Sequence, residues 1–164
     1  MSRGFTLAEA LIASVFLAVC ALGVAGSLTA ASQSSANLTR ATNCQALARE
    51  LLEEAGSRSF TTRPNPGWAS GGLNRSNFDD VADYDTYTDS TSDTNGIKTL
   101  QGTTVSFGDG ASYTRSVTFR YRATPTGANA ASGDFGLLTV TVTSSSGTSV
   151  TLQRLLSYNS MIKR

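Results

Sequence analysis

The sequence predicts an α+β fold in which one long N-terminal helix packs on an antiparallel sheet of three or four strands. Three observations support this prediction. An uncharged apolar run near the N-terminus passes into a helical pattern, a segment rich in glycine and proline follows, and the last third alternates between apolar and polar residues. A helix followed by a meander of strands is typical of an α+β domain.

The N-terminal segment is predicted to be a helix that crosses a membrane. Residues 10–28 carry no charged side chain, and the run approaches the ~20 residues that a membrane-spanning helix needs. A secretory signal peptide has a shorter apolar run that is followed by a cleavage site, whereas here further helical sequence follows. We therefore expect this half of the helix to project from the domain and to pack with lipid or with other subunits.

One carboxylate lies at the start of the apolar run. Glu9 has no lysine or arginine beside it, and its neighbours at four-residue spacing are Phe5 and Ala13. A charged side chain at such a depth costs about 2–3 kcal/mol, so it marks a function or a partner. We expect the partner of Glu9 to come from elsewhere.

The residues around Glu9 resemble the processing motif of a known family. Residues 3–13, RGFTLAEALIA, resemble the prepilin motif of type IV pilins and of type II secretion pseudopilins. In that family a membrane peptidase cuts after the glycine and methylates the new N-terminal residue. The resemblance implies cleavage between Gly4 and Phe5, N-methylphenylalanine at Phe5, and an assembly role for Glu9. It also implies a pilin-like fold, with other pilin subunits, the prepilin peptidase and inner-membrane lipid as partners.

This assignment has a physical rationale. Cleavage creates an α-amino group at the start of an apolar helix, and Glu9 of a neighbouring subunit offers it the opposite charge. Both charges are costly alone in a low-dielectric bundle, so their pairing sets the axial register between subunits. Arg3 keeps the leader on the cytoplasmic side, which leaves the globular part in the periplasm and, after assembly, on the pilus surface.

The second half of the helix carries an apolar stripe. From Ser32 to Arg58 there is no proline, and Gly56 is a plausible stop signal. The stripe recurs at steps of three and four residues, and we expect it to dock on the sheet: Ala41, Cys44, Leu47, Ala48, Leu51, Leu52 and Ala55. The glutamates Glu50, Glu53 and Glu54 fall mostly off it.

The predicted domain organisation has five parts. They are a leader at 1–4, a transmembrane and assembly half-helix at 5–30, an amphipathic half-helix at 31–58, an irregular acidic segment at 59–110 and the sheet at 111–164. Within one continuous helix Cys20 and Cys44 would lie about 36 Å apart, so they cannot form a disulfide there.

The acidic segment leaves two interpretations open. Its aspartates offer oxygen ligands suited to calcium: Asp83, Asp85, Asp89 and Asp93. Their spacing does not fit an EF-hand loop, and a solvated, turn-rich loop is the alternative. Residues 78–85, together with residues 46–55 of the helix, resemble the corresponding segments of minor pilins of the pilus-modification and mannose-sensitive-haemagglutinin types. This second resemblance implies a minor pilin more than a major one.

The alternation of apolar and polar residues in the last third of the chain predicts the strands. A short strand is expected near residues 103–107, followed by strands at 112–122, 137–143 and 149–155, with Ser144–Gly147 as a hairpin turn. The first long strand is predicted to bury Tyr113, Val117, Phe119 and Tyr121. Three arginines are expected to face outward, where a solvated face is favoured over contact with nucleic acid: Arg115, Arg120 and Arg122.

Composition argues against catalysis. The chain has no histidine, which excludes the Ser-His-Asp and Cys-His arrangements and removes the commonest zinc ligand. We expect no enzymatic activity and no cofactor, with calcium as the open alternative. Two functions remain: a minor pilin or pseudopilin built into a filament, or a membrane-anchored binding domain or adhesin that never polymerises.

Overall fold

The α+β architecture is confirmed in the computed structural model, which describes residues 6–60, 75, 78–94, 96–99 and 101–158. One helix is followed by a 3-10 turn and by a five-stranded antiparallel sheet. The elements are α1 (Leu7–Gly56), the 3-10 turn (Val81–Tyr84), β1 (Thr88–Ser90), β2 (Tyr113–Arg122), β3 (Asn129–Ala130), β4 (Phe135–Ser144) and β5 (Ser149–Ser157). The chain divides into two compact units, which meet in sequence between Leu38 and Thr39.

The sheet has more strands than predicted because two short ones were missed. Its order is β1-β2-β4-β5, and the two-residue strand β3 also pairs with β2. The predicted strand near residues 103–107 is not formed, since only an isolated bridge between Lys98 and Thr104 lies there. The three long strands stand close to their predicted positions, because each shows the period-two pattern of a half-buried strand.

The hairpin between β4 and β5 forms at the predicted turn. Gly147 has a φ of 88°, and its amide donates to the carbonyl of Ser144 over 2.9 Å. The amide of Ser144 in turn donates to the carbonyl of Thr148 over 2.8 Å. Glycine is favoured at Gly147 because other residues adopt a positive φ only at a cost of about 1–2 kcal/mol.

The core of the globular unit lies between the second half of α1 and one face of the sheet. Most of the predicted helix stripe is fully buried, and Ala41 and Leu52 are half-buried. The buried stripe residues are Cys44, Leu47, Ala48, Leu51 and Ala55. The sheet covers them with the predicted face of β2 and with Leu138, Val140, Val142 and Leu156. Cys20 and Cys44 are both free thiols.

The helix ends where the sequence predicted, but for a different reason. Gly56 is the last residue of α1 and does not adopt a positive φ. Instead, a β-carbon on Gly56 would lie 2.8 Å from Nη1 of Arg154, so glycine here gives room to an arginine of β5. This contact places a cation at the C-terminal end of α1, where the helix dipole favours positive charge.

Candidate functional site

The described part of the first unit is a helical segment with exposed side chains, and its residues 10–28 are mostly apolar. From Ala10 to Thr39 no residue is charged, and every side chain from Leu7 to Thr39 is exposed. Many of these side chains are large and apolar, including Leu11, Ile12, Val15, Phe16 and Leu17. Within the described residues, α1 is the one helix that is long and apolar enough to cross a membrane. A helix surface that is almost entirely apolar, as at residues 10–28, is suited to lipid or to other helices, not to water.

The three hydroxyl side chains between Ala10 and Ala30 donate hydrogen bonds to carbonyls of the same helix. The hydroxyl of Ser14 donates to the carbonyl of Leu11 over 2.8 Å, and that of Ser27 donates to Val24 over 2.9 Å. Thr29 donates to the carbonyl of Ala25 over 2.9 Å. Because each hydroxyl already has an acceptor, these residues do not prevent the segment from lying in an apolar environment.

Glu9 has a local partner that the sequence analysis did not identify. Its Oε2 accepts hydrogen bonds from the amide of Thr6 over 3.0 Å and from the Thr6 hydroxyl over 2.9 Å. The Glu9 amide lies 3.3 Å from the same hydroxyl, which it approaches as donor. This reciprocal pattern is a capping box, whose sequence signature is threonine followed three residues later by glutamate. The signal was present in residues 6–9 and was missed.

The capping box does not neutralise the charge of Glu9. Thr6 is uncharged, and none of the ion pairs within the described part of the chain involves Glu9. The carboxylate is therefore oriented by hydrogen bonds while it still lacks a cation. The other two residues assigned to processing, Gly4 and Phe5, lie outside the described residues.

The four aspartates considered for calcium are placed in different roles. Asp83 Oδ2 accepts from the amides of Asp79 and Asp80 and thereby caps the 3-10 turn. Asp85 accepts from the amide of Phe119 over 2.9 Å and pairs with Arg120 over 2.6 Å. In the part of the chain that the structure describes, no group of three or more acidic, cysteine or histidine side chains comes together around a common point.

Asp89 and Asp93 also have different roles: Asp89 forms an ion pair, and Asp93 lies in an exposed turn. Asp89 binds Arg115 through both carboxylate oxygens, at 2.9 Å from Nε and 2.6 Å from Nη2. Asp93 lies in an exposed turn, where its carbonyl accepts from the amide of Gly96 over 2.9 Å.

The side chain of Arg115 on β2 does not face outward as predicted. Its side chain is fully buried between Asp89 of β1 and Glu50 of α1, with Nη1 3.7 Å from the Glu50 carboxylate. Since side chains alternate along a strand, Arg115 lies on the same face as Tyr113 and Val117. The prediction that it faces outward was wrong, because its carboxylate partners come from distant elements.

Glu54 is the second buried charge that the sequence did not predict. It was placed off the helix stripe, yet it is only 6 % exposed. Its Oε1 accepts from the hydroxyl of Tyr84 over 2.8 Å and lies 3.0 Å from Nε of Arg75. Arg75 also donates to the carbonyl of Lys98 over 2.7 Å. This network ties the acidic segment to α1, as the Arg115 network does.

Tyr84, which is buried, and Tyr87, which is half-buried, should ionise at a higher pH than an exposed tyrosine. Burial, together with the nearby carboxylates Glu54 and Asp89, raises the pKa of both Tyr84 and Tyr87 to about 12. The usual pKa is about 10, so the stabilisation from the neutral phenols is complete below about pH 10. It is lost as the pH rises towards about 12, because the unfolded state ionises first.

We therefore expect a phenolate absorbance titration of the folded protein to show a late phase. Tyr84→Phe and Tyr87→Phe should each reduce that phase, and the double variant should also reduce the loss of stability between about pH 10 and pH 12. Tyr158→Phe is the matched control, since Tyr158 is exposed. Simultaneous titration of all the tyrosines near pH 10 would contradict the burial of this cluster.

Comparisons of the chain with protein-family models, with curated proteins and with solved structures find no match. Its function is therefore inferred from its own residues.

Proposed function

We propose that the chain is a structural subunit, a minor pilin or pseudopilin, of a type IV pilus or a type II secretion-like filament. A prepilin peptidase processes it, and it assembles through its N-terminal helix. The observation that carries this proposal is the position of Glu9, the only charged residue between Leu7 and Thr39, at the N-terminal end of an exposed apolar helix. A plain membrane anchor has no use for a carboxylate there.

The capping box supports a specific assembly step. In the isolated subunit Thr6 holds the Glu9 carboxylate at the first turn of α1. Cleavage after Gly4 would place a new α-amino group on Phe5, the residue directly before Thr6. A neighbouring subunit that brings its own α-amino group to Glu9 supplies the missing cation. The pair then fixes how far one helix slides along the next.

The globular unit has a different part in this proposal. It lies on the periplasmic side of the inner membrane before assembly and on the surface of the filament afterwards. The ion pairs of Arg75 and Arg115 hold the acidic segment against the helix and the sheet. We expect the subunit to present one defined surface and to have no catalytic role of its own.

Mass spectrometry of the intact protein from membranes tests the processing step. The expected mass lacks residues 1–4 and includes one added methyl group on Phe5. Gly4→Leu should leave the full-length mass, because a bulky side chain at the cleavage site blocks close access to the backbone. A mature N-terminus at any other position would count against this proposal.

A further inference from the structure

Residues 97–99 and 103–105 pair with each other as a small hairpin, which we call the strap. Two backbone hydrogen bonds of 2.8 Å join its arms, from the amide of Val105 to the carbonyl of Ile97 and from the amide of Thr99 to the carbonyl of Thr103. These bonds lie within the strap. Other contacts must therefore hold the strap on the rest of the globular unit.

The carbonyl of Lys98 makes those contacts. Nη2 of Arg75 donates to this oxygen over 2.7 Å, and Nη2 of Arg115 donates to it over 3.4 Å. Within the described part of the chain, these are the two hydrogen bonds between the strap and the rest of the domain. The side chain of Ile97, which is fully buried, adds an apolar contact with the core.

Both arginines are in turn bound to α1. Nε of Arg75 lies 3.0 Å from Glu54, and Nη1 of Arg115 lies 3.7 Å from Glu50. Glu50 and Glu54 are four residues apart, so they lie on the same face of the helix. The contacts therefore form a closed circuit that runs from α1 through Arg75, the Lys98 carbonyl and Arg115 back to α1. The two ion-pair networks are one network, joined at a single oxygen of the strap.

Burial and ion pairing support each other in this circuit. The side chain of Arg115 is fully buried, and that of Arg75 is 11 % exposed. An ion pair is far stronger in a buried site than in water. If the strap lifts, water reaches the guanidinium groups that contact Lys98, and their ion pairs weaken. A half-open strap therefore loses hydrogen bonds and ion-pair strength together, which favours opening in one step.

We propose that the strap opens and closes as one unit, and that Arg75 and Arg115 together hold it closed through the Lys98 carbonyl. Opening withdraws Ile97 from the core and exposes the guanidinium of Arg115 on this face of the globular unit. The rest of the sheet stays folded, because the long strands pair with each other without the strap. The device uses only residues of the globular unit. It therefore stands or fails independently of the role of Glu9 and of processing after Gly4.

Amide hydrogen exchange of the full chain in detergent tests the Arg75 side of this circuit. Arg75→Lys keeps a positive charge beside Glu54, but an ammonium group lacks the planar fork that reaches Glu54 and Lys98 at once. The strap amides of Thr99 and Val105 should then exchange about tenfold faster. Arg120→Lys is the matched control. Arg120 pairs with Asp85 and has no contact with the strap, so the strap amides should keep their wild-type rates.

Glu50→Gln tests the Arg115 side in the same experiment. The carboxylate of Glu50 is 33 % exposed, so its replacement should leave the domain folded. Loss of its charge weakens the hold on Arg115, and the same strap amides should exchange about threefold faster. Glu53→Gln is the matched control, since Glu53 is exposed and pairs with Arg49. It should leave the strap amides unchanged.

The amide of Ser144 reports on global unfolding. It donates to Thr148 in the hairpin between β4 and β5, away from the strap, and should exchange at the wild-type rate in all four variants. Strap amides that accelerate only together with Ser144 would show that the strap opens by global unfolding, which would overturn the proposal. Acceleration in Arg75→Lys alone or in Glu50→Gln alone would refute a joint hold by both arginines, and unchanged strap amides in both variants would refute the device.

Discussion

Replacing Arg115 by alanine is expected to destabilise the globular unit by about 3–5 kcal/mol. Arg115 is fully buried, and its removal leaves the carboxylates of Asp89 and Glu50 without their cation. Asp89 is the more affected, because its side chain is only 12 % exposed and both of its oxygens bind the guanidinium. An uncompensated charge in such a site costs far more than the loss of a surface ion pair.

Arg120 supplies the matched control. It lies on the same strand and pairs with Asp85 over the same 2.6 Å that separates Arg115 Nη2 from Asp89, but its side chain is 47 % exposed. Arg120→Ala should therefore cost about 1 kcal/mol or less. Denaturant unfolding of the full chain in detergent, followed by near-ultraviolet circular dichroism, compares the two variants. Equal effects would contradict the conclusion that burial decides the strength of these ion pairs.

Replacing Glu9 by glutamine is expected to abolish filament assembly while the protein stays in the membrane. Glutamine can also serve in a capping box, so the first turn of α1 and its hydrogen bonds to Thr6 should be retained. What is lost is the negative charge that, in the proposed mechanism, pairs with the α-amino group of a neighbour. Immunoblots of sheared filaments and of membrane fractions measure the two pools separately.

The same helix provides the controls for this prediction. Glu53→Gln removes an exposed glutamate, 62 % accessible and paired with Arg49, and should leave assembly unchanged. Thr6→Ala removes the capping hydroxyl at a cost of about 1 kcal/mol but keeps the charge of Glu9, so assembly should be weakened and not lost. Wild-type levels of filaments from Glu9→Gln would refute the register pairing. A wild-type chain that stays in the membrane and forms no filaments would instead favour a membrane-anchored binding domain.

Much of the fold could be predicted because its signals are local. The helix stripe from Cys44 to Ala55, the alternation along β2 and the hairpin at Gly147 each depend on residues close together in the sequence. The short strands β1 and β3 could not be predicted in this way. With three and two residues, they carry too little periodicity to be distinguished from loop.

The buried charges show where local reasoning failed. The spacing of β2 already placed Arg115 on the same face as Tyr113 and Val117, but an arginine was assumed to face water. Glu54 was placed off the helix stripe for the same reason. Both assignments depend on partners far away in the sequence: Asp89 and Glu50 for Arg115, and Tyr84 and Arg75 for Glu54. Composition alone cannot reveal which charges will meet.

Sequence alone predicts the long helix, its uncharged apolar half and the single carboxylate at its start, because period, hydropathy and charge along one helix are properties of consecutive residues. Only the folded chain shows that Arg115 and Arg75 tie the acidic segment to α1. Those contacts depend on which segments become neighbours and on how deeply each charge is buried. The free energy of an ion pair changes several-fold with burial, so only the folded chain distinguishes Arg115 from Arg120.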